Sequence, residues 1–595
     1  MTTAAEVGRR AMSLRKAPAS PLRRSLLIGA VFGIVSIYLA AVGILQMIHG
    51  RTIIVDLLTL GQVALLAIGL GTGALVARRE GRHPLAEILV HSLLAGAIVG
   101  GILAGLVLAI DAFDLRSIFI ALSPQLQDML TFGLDDIAVG AAILVGAGGV
   151  LGVLGALLAN LQPKARHPIM VGFVAVLIFG VFQELIQLVL PTDEWFDPIH
   201  DLIYTYEGLT PEGAAIIFVI AAGLSALWRW YETRETAAER TVTERRAGTV
   251  IKILVALALV VGLPIVAGNY IGQVLMLVGL YILMGMGLNL EVGLAGLLDL
   301  GFVAFFAVGA YTTALFTADS PHALAAYTWL PSLSYWYAMP IAVAASVIVG
   351  VLFGIPVLGV RGDYLAVATM GLGEIVRVIV QSDAASPLLA GAEGILQIPK
   401  PHVGSIELSD PVELFYLTLV CAGVAAFFAW RLENSRLGRA WMAVRDDEDV
   451  AQALGINLVK VKLLAYGLGA AFAGLAGSIF AVMLTSVYPS SFQLLVSINV
   501  LALIIVGGMG SLPGVIVGAL ALVGLPELLR EFGEYRYLFY GVALILMMRL
   551  RPEGLWPSAT RRRELRAAAE GADPTLEPAP SIATVTAPEG QQPGE

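Results

Sequence analysis

The sequence predicts an all-α protein, a polytopic bundle of about 16 transmembrane helices with both termini in the cytoplasm. The first observation behind this prediction is composition. Of the 595 residues, 58% are hydrophobic and 14% are charged, and the mean hydropathy of +0.85 is too high for a soluble protein. The second is that apolar runs long enough to cross a bilayer recur along the chain. The third is that the alternating segments of a membrane β-barrel are absent.

Six spans are predicted in residues 25–230. They lie at Ser25–Ile48 and near 53–77, 86–110, 137–160, 168–190 and 212–230. Basic residues follow the second, fourth and sixth spans, whereas the loops after the third and fifth are acidic. The positive-inside rule therefore places the basic N-terminal segment 1–24 in the cytoplasm. The first run is too long for the apolar core of a typical cleaved signal peptide, so we expect a retained helix.

A charged cytoplasmic linker, 231–249, separates these spans from a second set. The second set is predicted near 250–268, 271–290, 297–317, 336–359, 364–381, 412–430, 463–487, 494–508, 511–528 and 536–549. Glycines and Pro513 interrupt the last four, so half-helices or re-entrant segments that line a cavity are the alternative there. The tail 557–595 is rich in Ala, Glu, Pro and Thr and is predicted to be disordered in the cytoplasm.

The longest clearly polar interruption is the segment Arg431–Lys462. It has the pattern of two short helices on a membrane surface, the first around Leu437–Arg445 with Trp441 among arginines. The second is predicted to begin with Asp446 as its N-cap and to end at Gly455 in the left-handed conformation. Its small apolar stripe consists of Val450, Ala453 and Leu454. A solvated connector and a docking surface are both compatible with this pattern.

Glu374 and Arg377 are two charged residues in an otherwise apolar run, and their i, i+3 spacing lets them pair on one helix face. Ionised groups at membrane depth normally face a bundle interior or a water-filled path. A buried pair that locks helix register, contact with a transported solute and a part in gating all remain open. Asn289 and Glu291 are expected to cap a helix end or line a vestibule. Asp299 is expected near the cytoplasmic interface without a special role.

Glycines punctuate two apolar regions of the second set of spans. Small residues let helices approach closely, and glycine also permits a helix to break. Either role is predicted for Gly293, Gly296, Gly301, Gly507, Gly508 and Gly510.

Motifs of catalysis are absent from the sequence. It has no G-x-x-x-x-G-K-[ST] loop, so the chain is not expected to hydrolyse ATP. It has no Ser-His-Asp arrangement or H-E-x-x-H motif, its seven histidines are scattered, and its single cysteine, Cys421, lies in an apolar run. We therefore predict no catalytic residue, no metal site, no cofactor bound by this chain and no nucleic-acid partner.

Five segments together resemble the LivM-type permease of branched-chain amino-acid ABC importers. They are GLNLEVGLAGLLDLGFVAFFAVGAYTTALF (287–316), LGVRGDYLAVATMGLGEIVRVIV (358–380), GILQIPKP (394–401), LGRAWMAVRDDEDVAQALGINLVKVKLLAY (437–466) and GGMGSLPGVIVGA (507–519). The resemblance implies a permease core over 250–556 in a bacterial cytoplasmic (inner) membrane. It implies four kinds of partner besides the lipid bilayer: two ATP-binding subunits that carry ATP and Mg²⁺, a LivH-type companion permease and an extracytoplasmic solute-binding protein.

The resemblance also identifies 431–462 as the loop that couples the permease to its ATPase. The expected coupling residues are Arg445, Asp446, Asp447, Glu448, Asp449, Ala453 and Gly455. Asn289, Glu374 and Arg377 then become candidates for the translocation path or for locking the bundle. Glycine at 293, 296, 301, 507, 508 and 510 keeps its predicted role in helix breaks or close packing.

The resemblance leaves the solute open between branched-chain or related amino acids and, as in some relatives, urea or short amides. Residues 1–248 depart from the family, since they lack its N-L-x-V-G-x-A-G and G-E-I-V-R signatures; we expect a membrane extension for assembly or packing. Two interpretations come from other classes. One is an ion-coupled secondary transporter, and the other is a membrane scaffold or sensor built on the N-terminal spans.

Overall fold

The computed structural model describes residues 20–189, 197–235, 242–321 and 332–528, except Arg82, Asp114, Asp135, Arg361 and Ser405, together with Arg530 and part of 541–558. Most of the predicted N-terminal segment, the middle of the linker, most of the 536–549 span and nearly all of the tail therefore lie outside the described residues. The chain divides into two compact units, Met1–Val255 and Ala256–Glu595.

In its described residues, the first unit is helical apart from one small hairpin and two isolated β-bridges. Its helices are α1 (Pro21–Ala41), α2 (Ile44–His49), α3 (Leu60–Arg79), α4 (Leu85–Ala112), α5 (Pro124–Leu130), α6 (Ile137–Asn160), α7 (Pro163–Val181), α8 (Gln183–Val189), α9 (Asp197–Ile203) and α10 (Pro211–Glu235), with a 3₁₀ turn at Leu115–Ser117. Strands β1 (Thr52–Ile54) and β2 (Leu58–Thr59) pair antiparallel. Thr59 then starts α3 with a capping box, in which its side chain and that of Gln62 each accept a backbone hydrogen bond.

Glycine faces bring α3, α4 and α6 of this unit backbone to backbone. A Cβ on Gly73 would lie 1.8 Å from the carbonyl oxygen of Gly152, and a Cβ on Gly96 would lie 2.1 Å from that of Gly148. Larger residues at these positions would force the helices apart. Helix contacts in membranes commonly use small residues. Because lipid tails are as apolar as the side chains, the hydrophobic effect contributes little there and close van der Waals packing matters more.

The second unit contains the rest of the helices. They are α11 (Val242–Leu288, which begins in the first unit), α12 (Val303–Thr317), α13 (Tyr335–Val357), α14 (Asp363–Gln381), α15 (Ser386–Leu389), α16 (Pro411–Glu433), α17 (Arg436–Asp446), α18 (Glu448–Ala453), α19 (Leu458–Leu484), α20 (Leu494–Gly507), α21 (Leu512–Ala519) and α22 (Leu525–Leu528). π-helical turns lie at Asn289–Leu294 and Leu520–Gly524, and 3₁₀ turns at Gly391–Glu393 and Pro489–Ser491. Strands β3 (His402–Val403) and β4 (Ile406–Glu407) form an antiparallel pair.

Helix α19 lies at the centre of the second unit's core. A Cβ on Gly474 would lie 2.3 Å from the Ser346 Oγ of α13, and a Cβ on Gly477 would lie 2.1 Å from the Phe306 carbonyl oxygen of α12. Glycines on two sides of α19 thus let α12 and α13 close on it. The residues of the turn before α12 and of the π turn after α11 are buried in the same core.

The mostly helical membrane fold predicted from the sequence is confirmed. Twelve described helices are long and apolar enough to cross a membrane, and two shorter apolar helices lie at Val303–Thr317 and Leu512–Leu528. Six of the twelve lie in the first unit, where they overlap the predicted segments. The segments 250–268 and 271–290, predicted as separate spans, are joined in α11, whose helix is interrupted at Gly268 by non-helical angles (φ 75°, ψ −169°).

Candidate functional site

The coupling segment, Arg431–Lys462, contains two short helices, α17 and α18. The Ser435 hydroxyl caps α17 by accepting hydrogen bonds from the backbone N–H groups of Leu437 and Gly438 at 3.1 and 3.2 Å. The Asp447 carboxylate caps α18 by accepting from Asp449 and Val450 at 2.9 and 3.0 Å. Polar side chains therefore satisfy the first free N–H groups of both helices, which makes short helices stable outside a core.

The predicted N-cap at Asp446 is wrong by one residue. Asp446 is the last residue of α17, and Asp447, with extended backbone angles, caps α18. Both residues have a side chain that can cap, so the sequence alone does not choose between them. The predicted end of α18 is correct, because Gly455 adopts a φ of 89°, a left-handed value that glycine tolerates.

Trp441 and Lys462 fix the coupling segment to the core. Trp441 is completely buried, and its indole N–H donates to the carbonyl oxygen of Val461 in α19 at 2.8 Å. Lys462 is 3% exposed and forms an ion pair with Glu448 at 2.7 Å. One contact ties α17 to α19 and the other ties α18 to α19, so the two short helices cannot move without affecting the long one.

A cluster that we name the coupling junction joins α17 to two interrupted helices. Arg445, near the end of α17, donates through Nη1 to the carbonyl oxygen of Gly293 in the π turn at 2.7 Å. In the same turn, the Asn289 side-chain oxygen accepts from the backbone N–H of Gly510 at 2.8 Å. Gly296, which has a φ of 73°, turns the chain beneath Arg445, where a Cβ would lie 2.6 Å from Arg445 Cγ. The structure thus brings together residues that are more than 200 positions apart in the chain.

The other predicted glycines divide between the two proposed roles. Gly301 and Gly507 permit close approach, since a Cβ would lie 2.2 Å from the Thr369 carbonyl oxygen and 2.0 Å from the Gly514 carbonyl oxygen, respectively. Gly508 and Gly510 lie at positive φ where α20 ends. Gly293 serves close approach within the junction, because a Cβ there would lie 2.3 Å from Asn289 Oδ1.

The outer face of α18 carries apolar side chains. Val450 is 54% exposed and Leu454 is 77% exposed, whereas Ala451 is the residue that packs inward. Ala453 is also exposed, so the predicted stripe faces away from the rest of the chain. Acidic Asp446, Asp447 and Asp449 surround it and are exposed too. None of the described residues covers this patch, and an apolar centre with a polar border is the arrangement found in protein contact surfaces.

Glu291 and Asp299 form a buried carboxyl pair that the sequence did not reveal. Glu291 is fully buried and Asp299 is 2% exposed, in contrast to the expected vestibule and interface positions. Asp299 Oδ1 accepts a hydrogen bond from the Gly301 N–H at 2.7 Å, whereas both carboxylate oxygens of Glu291 and Oδ2 of Asp299 are buried without a hydrogen-bond partner among the described residues. The signal available in the sequence was two acids flanking the glycine-rich turn.

Glu374 and Arg377 pair on α14 as their spacing suggested. Arg377 Nε donates to both carboxylate oxygens of Glu374 at 2.9 and 3.0 Å. The described residues do not enclose the pair, since the side chains of Glu374 and Arg377 are 48% and 30% exposed, respectively. Ile375 and Val378, on the same exposed side, are 52% and 54% exposed. A charged pair on a membrane-spanning helix is costly next to lipid, so this face requires cover from another protein or from water.

Lys400 fastens the loop between α14 and α16, a role that sequence reasoning missed. Its ammonium donates to the carbonyl oxygens of Val482 and Met483 at 2.9 and 3.2 Å, in the last turn of α19. A cation there satisfies carbonyls that have no helical partner. Burial lowers the pKa of Lys400. Within the ranges that the structure describes, no group of three or more His, Cys, Asp or Glu side chains could hold a metal ion.

The described helices are those of a multi-pass membrane protein that carries a pair of short polar helices between two of its membrane-length helices. A family model described as "Branched-chain amino acid transport system / permease component" matches residues 270–548. The high-affinity branched-chain amino acid transport system permease protein LivM of Escherichia coli K12 is 38% identical over 337 residues, which are 53% of this chain and 76% of the relative. The chain therefore belongs to this permease family.

Two further relatives support the assignment. LivM of Salmonella typhimurium is 39% identical over 310 residues, or 48% of this chain and 70% of the relative. The permease protein LivH of the same organism is 28% identical over 176 residues, or 29% of this chain and 55% of the relative. No solved structure matches the chain significantly. The family match contains the coupling junction and the coupling segment, and it leaves residues 1–269 unmatched.

Proposed function

We propose that this chain is the permease subunit of an ABC importer in a bacterial inner membrane, and that it moves branched-chain or related amino acids into the cell. It would cross the membrane about 16 times with both termini in the cytoplasm, which the alternating loop charges favour. The membrane-spanning region 25–230 would be an extension, and 250–556 the permease core. The observation that carries the proposal is the family match over 270–548.

Four kinds of partner complete the proposed assembly. Two ATP-binding subunits would supply ATP and Mg²⁺ chemistry, since the sequence has no phosphate loop of its own. A LivH-type permease would pair with this chain, in keeping with its similarity to both LivM and LivH proteins. An extracytoplasmic binding protein would deliver the solute. The exposed Val450 and Leu454 of α18 would insert into a cleft of one ATPase, with Asp446, Asp447 and Asp449 around them.

The coupling junction suggests how ATPase movement reaches the membrane helices. A displacement of α17 and α18 would pull on the Gly293 carbonyl through Arg445, and on α19 through Trp441 and Lys462. The π turn at Asn289–Leu294 links this movement to the Gly510 loop. Packed helices of this kind move as rigid bodies between discrete arrangements, which is the behaviour that alternating access requires.

The exposed face of α14 would line the translocation path at the contact with the companion permease. Glu374 and Arg377 would lie there with their charges paired. The amino and carboxylate groups of a solute would then contact a hydrated surface with almost no net charge. This position explains why the pair is exposed in the single chain and still lies on a membrane-length helix.

Uptake into proteoliposomes that contain the whole assembly tests the proposed function. With ATP on the ATPase side, labelled leucine, isoleucine or valine should accumulate only when the binding protein is present. Dissipating ion gradients should leave this uptake unchanged. Uptake that needs an ion gradient and no ATP would identify a secondary transporter instead, and preferential uptake of urea would reassign the solute.

Replacing charged residues tests the assignment of α14 to the path. Glu374→Leu or Arg377→Leu should reduce uptake at least tenfold, an effect of about 1.4 kcal/mol, while membrane insertion stays normal. Ile375→Leu changes an adjacent residue that is also exposed and should leave uptake near the wild-type value. Normal transport by both charge variants would exclude this pair from the path.

A further inference from the structure

A cavity in the first unit lies where three membrane-length helices end on the same side. It is enclosed by the beginning of α1, the end of α3 and the turn that leads to α4, and its volume is about 330 Å³. Small-molecule sites typically span about 300–1,000 Å³. Ile28 and Val76 are buried at its base, whereas Arg24, Arg79 and His83 are exposed around its opening.

The acidic group in this cavity is already occupied by protein partners. Glu80 is 6% exposed, accepts a hydrogen bond from the Ser25 hydroxyl at 2.6 Å and lies 2.7 Å from Nδ1 of His91. At the opening, His83 pairs with Glu87 at 3.3 Å. The polar groups of Ser25 and Glu80 at the base of the cavity therefore already have protein partners.

The two arginines at the opening are different. Within the part of the chain that the structure describes, neither Arg24 nor Arg79 has an ion pair or a side-chain hydrogen bond. Their guanidinium groups present several N–H donors in a fixed plane, which suits the oxygens of a phosphate group. The cavity thus combines two arginines that have no such partner with a base formed by Ile28, Val76 and the already bonded Ser25 and Glu80.

The position of the cavity indicates the source of the phosphate. Because α1, α3 and α4 are all long and apolar enough to cross a membrane, their shared end lies at the depth of the lipid headgroups. From Arg24, an exposed apolar stripe runs along α1 through Leu27, Val31 and Ile34, which are 63%, 50% and 64% exposed. These residues share one helix face and offer a surface for an acyl chain.

We propose that this cavity binds the phosphate headgroup of an anionic phospholipid, held by Arg24 and Arg79. The site gives the first unit a lipid-recognition function that is separate from solute transport. Anionic lipids are favoured over zwitterionic ones because Glu80, the acidic residue among the described residues that line the cavity, is buried and already bonded to Ser25. Basic side chains near a membrane surface contribute about fivefold each to the attraction of anionic lipid.

Native mass spectrometry of the delipidated full-length chain tests the site. Phosphatidylglycerol and phosphatidylcholine with identical acyl chains would be supplied together. The wild-type protein should retain phosphatidylglycerol preferentially, and Arg24→Gln/Arg79→Gln should weaken its binding about 25-fold, or fivefold per arginine. Arg78→Gln is the matched control, because Arg78 is exposed at the same helix end but does not line the cavity.

Two further measurements test whether the arginine charge matters and whether the variants fold. Arg24→Lys/Arg79→Lys should recover part of the binding, and unchanged thermal unfolding in phosphatidylcholine nanodiscs shows that the double variants are folded. Equal losses in the Arg78→Gln control would mean unspecific attraction and overturn the proposal. Equal retention of the two lipids would also overturn it. Displacement of bound phosphatidylglycerol by inorganic phosphate or glycerol phosphate at low concentration would reassign the cavity to a soluble anion.

Discussion

The substitution Gly301→Ala tests whether the glycines of the core are there for close packing. Gly301 lies just before α12, and its backbone faces the carbonyl group of Thr369 in α14. A Cβ would lie 2.2 Å from that carbonyl oxygen and 2.9 Å from its carbon. Gly301 is not among the residues at positive φ. Alanine could therefore adopt the backbone conformation, and the clash alone decides the outcome.

The expected magnitude follows from the distances. Non-bonded heavy atoms are optimally separated by about 3.5 Å, so α14 must move away by roughly 1 Å. The obstructing atoms are backbone, which cannot rotate away as the end of a side chain can. Overpacking of this kind costs about 1–3 kcal/mol. Since α14 carries Glu374 and Arg377, uptake should fall together with stability.

Gly371→Ala is the control in the same helix. Gly371 is exposed in α14, and a Cβ there would meet nothing within 4 Å. Relief of the helix penalty of glycine should make this variant more stable by up to about 1 kcal/mol. Thermal unfolding in detergent, followed by tryptophan fluorescence, should therefore place Gly301→Ala below the wild type and Gly371→Ala at or above it. A Gly301→Ala protein as stable as the wild type would refute the close-packing argument.

Two further substitutions test contacts that hold the coupling segment and the loop before α16. Trp441→Phe removes the hydrogen bond to Val461 and should lower the free energy of unfolding by about 1 kcal/mol. Denaturant unfolding of the variant and the wild type measures this difference. An unchanged free energy of unfolding would mean that this bond does not anchor α17. Lys400→Met removes the cation that bonds the carbonyls of 482–483, so hydrogen exchange of the loop amides should become faster, as measured by mass spectrometry. Lys460→Met, in an exposed position, is the control for loss of a lysine, and equal exchange in the two variants would contradict the role of Lys400.

Local patterns explain why the two short helices could be predicted. α18 follows from an aspartate N-cap and from Gly455, and α17 from Trp441 among arginines, whereas the cap at Ser435 is a feature that only the structure shows. The choice between Asp446 and Asp447 as N-cap did not follow. Arg445 contacts Gly293 from the last turn of α17, and a contact between residues 152 positions apart leaves no trace in the local pattern.

The candidate site also combines features that the sequence predicted with features that it did not. The i, i+3 spacing predicted that Glu374 and Arg377 could pair, but their exposure depends on which face of α14 packs inward. Glu291 and Asp299 were expected to have separate local roles. The left-handed turn at Gly296 folds the chain back between them and buries both, which only the packing of the core determines.

The most direct test of the proposed function is whether the ATP-binding subunits bind to α18. Leu454→Asp replaces an apolar side chain that is 77% exposed with a charged one. The control, Leu396→Asp, makes the same change at a 45% exposed position in the loop between α14 and α16. The predicted topology places this loop on the opposite side of the membrane. We predict that the ATPase subunits co-purify with the wild-type protein and with Leu396→Asp, and that Leu454→Asp loses them while still inserting into the membrane. Full retention of the ATPase by Leu454→Asp would contradict the assignment of this surface.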